Sequence, residues 1–349
     1  MSKESTVKTL TSIGRDVMDA ILEGEFPSLH FPDRSTDNIV YDGVTNQFVL
    51  GDSSTTRDSS NLRHVRSFAQ LIWVAYFAKK LTSAQRTSSL RDLYYSSEAY
   101  GVKFSNQAES DRIVTDLETL TGLARENFGI FPEERSSIFG DVRMRYTVSG
   151  YENQEVCLTA SPDGFPIGRA LMTAKPVDAS AEIILAIESG GMFSRLIETG
   201  AWKRYQAVLI HLGGQPPRAT RSLMRRLREE LELPIFIFTD GDPWGMHIAR
   251  VIIGGSANSA HLRGLAVPDA EWIGVTPSDI VNHSLPTEPM NNADLKRLDE
   301  LLHDVRYAGP VWQDYIKAFR ELRSKAEQQA FSRHGMDYVV DTYLKEKLP

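Results

Sequence analysis

Pro234-Ile-Phe-Ile-Phe-Thr-Asp240-Gly-Asp-Pro-Trp-Gly-Met-His-Ile-Ala-Arg250-Val-Ile-Ile-Gly-Gly255 reads as a strand, a turn and a helix. Ile235 to Phe238 is a continuous apolar run, as in a strand covered on both faces. Asp240-Gly241-Asp242-Pro243 is turn chemistry. The same grammar occurs twice upstream. Ile183 to Ile187 precedes Gly190-Gly191 and a helical stretch, and Ala207 to Leu212 precedes Gly213-Gly214 and a helix starting near Arg218. Apolar strands alternating with helices imply a parallel sheet buried on both faces. The expected fold class is α/β, with a Rossmann-like open sheet over 181–349 that works at the carboxyl ends of its strands. From Ala293 onward the chain reads as helices, one carrying Leu295, Leu298, Leu301 and Leu302.

That edge singles out three carboxylates. Glu188 follows the first strand, and Asp240 and Asp242 follow the third. Residues two apart in extended chain point to one side. Three acids at one edge repel unless a cation sits among them, and oxygen ligands without His or Cys suit Mg²⁺. A plainer reading stands beside this one. Asp242 before Pro243 is also a good helix N-cap, and Glu188 could be a solvated strand-end acid.

Upstream, Leu10, Ile13, Val17 and Ile21 mark one face of a helix ended by Gly24 and Pro27. A small hairpin is expected around Asp42-Gly43, and 51–60 reads as a loop. Residues 1–60 thus form an N-terminal extension whose helix packs on the core or against a partner. Three helices follow: Leu62 to Leu81, Leu90 to about Ala99, and one from an Asn106 cap to Gly122. Short strands at Phe128–Phe131, Ser137–Phe139 and Met144–Val148 complete a winged-helix order over 61–150. Residues 151–180 read as linker strands.

On the second of these helices Arg91, Tyr94, Tyr95 and Glu98 share a face. A phenol is a weak nucleophile at neutral pH, and a guanidinium with a metal-polarised phosphate would help it attack phosphorus. The alternative is a pair of ordinary helix aromatics. After Gly213-Gly214-Gln215-Pro216-Pro217, Arg218, Arg221, Arg225 and Arg228 give a cationic face that could follow phosphates or simply be solvated.

The composition bounds these readings. The chain has 349 residues, a prior for two or three domains. Its 41% hydrophobic and 24% charged residues exclude a disordered, collagen-like or wholly coiled-coil chain. The longest apolar run, Leu71 to Ala78, falls far short of the ~20 residues that span a bilayer. The N-terminus lacks the apolar core of a signal peptide. A lone Cys157 forbids an internal disulfide, so a reducing, cytoplasmic setting is expected. The net charge of −7 argues against a general nucleic-acid coat, but 202–228 holds seven Lys/Arg and no acid, so polyanion contact is local. No phosphate-binding loop or GxGxxG occurs, so ATP and NAD are not expected on this chain.

Four stretches in this order resemble the A-subunit family of DNA topoisomerase VI, which also includes the meiotic double-strand-break transesterase of eukaryotes. They are Ser89-Leu-Arg-Asp-Leu-Tyr-Tyr95, the segment AEIILAIESGGMF around Glu188, GGQPPRATR from Gly213, and TDGDPWGMHIARVIIGGSANSAHL from Thr239. The last two look like the archaeal enzyme. The resemblance covers roughly 65–349. It implies a winged-helix (CAP-like) domain carrying the tyrosine and a Toprim domain carrying the acids. It implies that Tyr95 becomes 5′-phosphotyrosyl-linked to DNA, that Arg91 contacts the scissile phosphate, and that Glu188, Asp240 and Asp242 hold Mg²⁺. It further implies a homodimer in which one chain's tyrosine meets its partner's metal site, and an A2B2 assembly with an ATP-binding B subunit of the GHKL type. Double-stranded DNA of the nucleoid would be the substrate. One departure is visible: Ser189 follows Glu188 where Toprim motifs often place lysine. A metal-dependent Toprim nuclease, a meiotic-type transesterase and a non-enzymatic DNA-binding module remain the alternatives.

Overall fold

The computed structural model describes residues 3–132 and 134–349. Its contacts divide into two compact units. One comprises Met1–Val40, Phe48–Glu133 and Ala257–Arg263; the other comprises Tyr41–Gln47, Glu134–Ser256 and Gly264–Pro349.

In the first unit, helix α1 (Lys3–Leu22) buries Leu10 and Ile13 in a core shared with α2 (Val65–Ser83), which contributes Phe68, Leu71, Val74 and Ala78. The first half of the apolar stripe read from sequence is therefore a packing face, Val17 is partly buried, and Ile21 at its end is exposed. Strand β1 (Ser28–Pro32) pairs antiparallel with β4 (Ser54–Asp58). β2 (Ile39–Asp42) with β3 (Gln47–Leu50) makes the hairpin at the Asp-Gly turn, whose Tyr41–Gln47 segment is counted with the second unit. β4 lies in the stretch expected to be a loop. Its Ser-Thr-Thr-Arg sequence carries no apolar alternation, and the strand forms because β1, which buries Leu29 and Phe31, offers it a full ladder.

After the short β5 (Ser88–Ser89) come α3 (Leu90–Glu98) and α4 (Gln107–Thr121). Asn106 caps α4 by accepting the Glu109 N–H at 2.9 Å, and Gly122 closes it at φ +66°. β6 (Ile130–Phe131) then pairs with β5 over two rungs, parallel. Glu118 of α4 is fully buried. It accepts the main-chain N–H and guanidinium of Arg125 and faces His261 Nε2 at 3.2 Å.

The second unit holds β7 (Ser137–Phe139), β8 (Val142–Arg145), β9 (Glu155–Cys157), β10 (Phe165–Pro166), α5 (Arg169–Thr173) and β11 (Lys175–Ala179). Next come β12 (Ile183–Ile187), α6 (Gly190–Glu198), α7 (Ala201–Arg204), β13 (Ala207–His211), α8 (Arg218–Glu230), β14 (Ile235–Phe238) and α9 (Pro243–Gly254). β15 (Glu271–Gly274), α10 (Pro277–Asn282), β16 (Glu288–Pro289), α11 (Asn292–His303), α12 (Pro310–Leu322), β17 (Ser324–Lys325) and α13 (Leu344–Lys347) complete it.

Its main sheet runs β10-β7-β13-β12-β14-β15. The four strands β13, β12, β14 and β15 are parallel, in keeping with the apolar runs of the first three; β15 begins with the exposed Glu271. The sheet is mixed, however. β7 pairs antiparallel with β13, and β10 antiparallel with β7. This corrects the winged-helix order read from sequence, because Ser137–Phe139 is a strand of this sheet and not of a wing after α4. Ile138 and Phe139 are buried, and β7 satisfies the edge of β13 that would otherwise stay unpaired. Val142–Arg145 likewise joins a separate antiparallel sheet, β11-β8-β9. Among the described residues no helix is long and apolar enough to cross a membrane.

Candidate functional site

β12 and β14 are neighbours in register, with Ile187 opposite Phe238, so the residues that leave them meet at one corner. The Glu188 N–H extends the ladder to the Phe238 carbonyl at 3.1 Å. Glu188 Oε2 accepts the Asp240 N–H at 3.0 Å. Asp242 Oδ1 accepts the Gly245 N–H at 2.7 Å, so the N-cap reading of Asp242 holds, with Pro243 in the first turn of α9. A Cβ at Gly245 would stand 2.1 Å from the Asp240 carbonyl, so only glycine lets the helix begin so close under that loop.

The acids of this corner are under-compensated, although the Lys325 charge acts on Asp240 and Asp242. Burial, then the charge of Asp240, pushes the Glu188 carboxyl up to about 8. Burial raises Asp240 to about 6, with Asp242 and Glu327 adding repulsion against the Gln328 hydrogen bond. Asp242 is raised by burial as well. Glu188 is therefore not a solvated strand-end acid. Carboxylates held against their charge, with oxygen donors only, fit a hard divalent cation. Among the described residues, no three His, Cys, Asp or Glu side chains are already gathered as a ligand set. The acids are coupled through their field, and Asp240 and Asp242 each use an oxygen on a main-chain N–H.

A third wall was not visible in the sequence. Residues 324–329 bridge to the loop after β14, where Gly241 and Ala326 exchange main-chain hydrogen bonds of 2.8 and 3.2 Å. Asp240, Asp242, Glu288, Lys325 and Glu327 line a cleft of about 390 Å³ there. The run Lys325-Ala-Glu-Gln-Gln329, polar and without helical or strand period, was the one available signal.

In the first unit, α3 begins with a capping box between Ser89 and Asp92. Leu93 and Ser97 are buried and hold the helix down. This splits the tyrosines. Tyr94 leans on the core, whereas Tyr95 is 60% exposed, its ring edge-on to Tyr94 at 5.3 Å. Arg91 is exposed one turn earlier, with no hydrogen bond or ion pair among the described residues. Tyr94 thus departs from the shared face read from sequence, and Arg91 and Tyr95 project together.

The arginines of α8 do not form the free cationic face that their spacing suggests. Arg221 is only 5% exposed. Arg225 pairs with Glu229 and donates to the Ala266 carbonyl at 2.6 Å, and Arg228 donates to Asp269 at 2.8 Å. Arg218 and Arg221 also have interactions within the protein. Periodicity put Arg221 on a face that the fold buries; Arg225 is taken by Glu229 one turn on along α8, and the carbonyl of Ala266 and the carboxylate of Asp269 come from distant segments. Arg226 is the clearest case, donating to the carbonyls of Met172 at 2.7 Å and Ala174 at 2.8 Å. Arg226→Ala is expected to cost about 1–3 kcal/mol by urea unfolding, because both acceptors lose a charged donor.

Comparison with known proteins places this geometry. Residues 183–348 match the family described as the Toprim domain of the topoisomerase 6 A-subunit/Spo11 proteins, and residues 66–130 match Type IIB DNA topoisomerase. The chain is 42% identical to the A-subunit of a type 2 DNA topoisomerase 6 of Methanothermobacter thermautotrophicus, over 99% of this chain and 98% of that relative. It is 39% identical to the protein of that name from Halobacterium salinarum, over 97% and 94%. With that from Archaeoglobus fulgidus it shares 38%, over 98% and 96%. At such identity across nearly the full length of both partners, the chain belongs to the A-subunit family of type 2 DNA topoisomerase 6.

Proposed function

We propose that this chain is the DNA-cleaving and rejoining component of an ATP-dependent type IIB topoisomerase, acting on cytoplasmic, nucleoid DNA. The observation that carries the reading is Tyr95, exposed beside an exposed Arg91, in a family member whose other unit holds an under-compensated acid corner.

Tyr95 Oη attacks a backbone phosphorus. The phenolic proton is lost, the Oη–P bond forms, the P–O3′ bond breaks, and the departing O3′ takes up a proton. The chain is then joined to a 5′ DNA end. One ester replaces another, so the reverse step reseals the strand without a high-energy cofactor. Arg91 offers a planar fork to the non-bridging oxygens. Glu188, Asp240 and Asp242 would hold Mg²⁺, which when bound neutralises phosphate charge. Asp242, through its cap on α9, keeps the turn that presents Asp240 in place. In this reading α2, α3 and α4 form a winged-helix-type DNA-binding unit. Two chains form a homodimer in which Tyr95 of each serves the acid corner of the other. An ATP-hydrolysing B subunit of the GHKL type completes A2B2. The α8 arginines, engaged within the protein, are left out of the DNA surface.

The chain mixed with a B subunit, ATP, Mg²⁺ and supercoiled plasmid should relax the plasmid and yield a 5′-linked protein–DNA adduct when denatured during turnover. Cleavage giving free 5′-phosphates and no bound protein would point instead to a metal-dependent nuclease.

A further inference from the structure

Gln328 is fully buried, yet its amide spans two elements that carry the acids. Its Oε1 accepts the Ser189 N–H at 2.8 Å, immediately after Glu188. Its Nε2 donates to the Phe238 carbonyl at 2.9 Å, at the end of β14. Its own main-chain N–H donates to Asp240 Oδ1 at 2.8 Å. An amide is suited to this place because it presents an acceptor and a donor at once. Gln329 adds a hydrogen bond to the Ser189 hydroxyl. Through Gln328 the end of β12, the end of β14 and one carboxylate oxygen are set relative to one another.

On the open side of the same segment, Lys325 Nζ lies 3.0 Å from Asp294 Oδ2. Asp294 is anchored in turn by the Trp244 indole N–H at 3.2 Å and the Asn291 N–H at 3.1 Å. The ammonium lines the cleft with Asp240 and Asp242 and is tethered there by a buried acid. It is a fixed positive charge beside the carboxylates of Asp240 and Asp242.

We propose that the strap Ser324–Gln329 is a positioning element of the divalent-cation site: Gln328 holds Glu188 and Asp240 in binding register, and Lys325 opposes the entering cation from the Asp242 side. This rests on the reading above that the corner takes such a cation. The two residues then act in opposite directions. Loss of the Gln328 amide removes the tie on the Ser189 N–H and leaves the turn after Glu188 held to β14 by the Glu188 ladder bond, and removal of an outer hydrogen-bonding partner typically weakens metal binding about 10–100-fold. Loss of the Lys325 charge removes a repulsion, worth about two- to fivefold in affinity for a partly exposed pair. A purely structural strap would weaken binding in both cases.

The test is a calorimetric Mn²⁺ titration of the full chain at pH 8, with thermal unfolding in EDTA for each variant. Gln328→Met keeps the side-chain volume and removes both amide contacts; Lys325→Met keeps the stem and removes the charge. Weaker binding in Gln328→Met with tighter binding in Lys325→Met, both variants unfolding cooperatively, is the expected result. Unchanged affinity in Gln328→Met, or a parallel loss in both variants, overturns the proposal. If Gln328→Met has no folded transition, Lys325→Met decides alone, and affinity at or below that of the unaltered chain overturns it. No Mn²⁺ binding by the unaltered chain would remove the cation reading itself, and this proposal with it.

Discussion

Tyr95→Phe is expected to abolish the covalent protein–DNA adduct and to reduce double-strand cleavage by about 10⁴-fold or more, because no other group in the step can form the phosphodiester link. Stability should change by no more than about 0.5 kcal/mol. The side chain is 60% exposed, so losing the hydroxyl leaves no buried donor or acceptor unpaired. Tyr94→Phe is the companion variant. That ring packs on the core of the first unit, and removing its hydroxyl should leave the adduct in place. The measurement is denaturant trapping on end-labelled DNA in the assembled enzyme, with a thermal melt of each variant. An adduct that persists in Tyr95→Phe and disappears in Tyr94→Phe would shift the nucleophile by one position.

Glu188→Gln has the second large effect, in two opposite senses. Cleavage should fall by at least about 10²-fold, since a cation held at the corner loses an anionic ligand. The metal-free chain, by contrast, should become more stable at high pH. Burial and Asp240 hold the folded-state carboxyl at about 8, whereas the unfolded chain titrates near 4.5. Between those values the folded state binds the extra proton, so folding stability decreases as pH rises from about 4.5 to about 8. The upper limit of the loss is about 5 kcal/mol. Asp240, raised to about 6, adds a loss of the same sign at lower pH. Urea unfolding in EDTA at pH 5, 7 and 9 should show the decline in the unaltered chain and a shallower one in Glu188→Gln. Mg²⁺ should restore stability at pH 9 only where the glutamate is present, because the cation binds the folded state alone. A flat profile for the unaltered chain would remove the charge-starved corner on which the site rests.

Much of the site was legible because its signals are local. The runs Ile183–Ile187 and Ile235–Phe238 are strands covered on both faces, and each ends in turn residues, so Glu188, Asp240 and Asp242 had to leave one sheet edge. The Asn106 cap and Gly122 stop of α4, and the Asp-Gly hairpin, are likewise written within a few residues. The strap was not legible. Gln328 meets Asp240 across 88 residues and Ser189 across 139, and its own neighbours have no period that predicts either.

Sequence by itself determined the element types, the acids at the strand ends and the helix that bears Tyr95, because apolar period, caps and turn residues act over one or two turns of chain. Tertiary structure alone decided which tyrosine stays in solvent, that β7 closes the edge of β13, that the α8 arginines are consumed by carbonyls and acids, and that Gln328 clamps the corner. These outcomes depend on burial and on partners supplied by distant segments, and a buried polar group takes whichever partner the closed fold brings within hydrogen-bond reach.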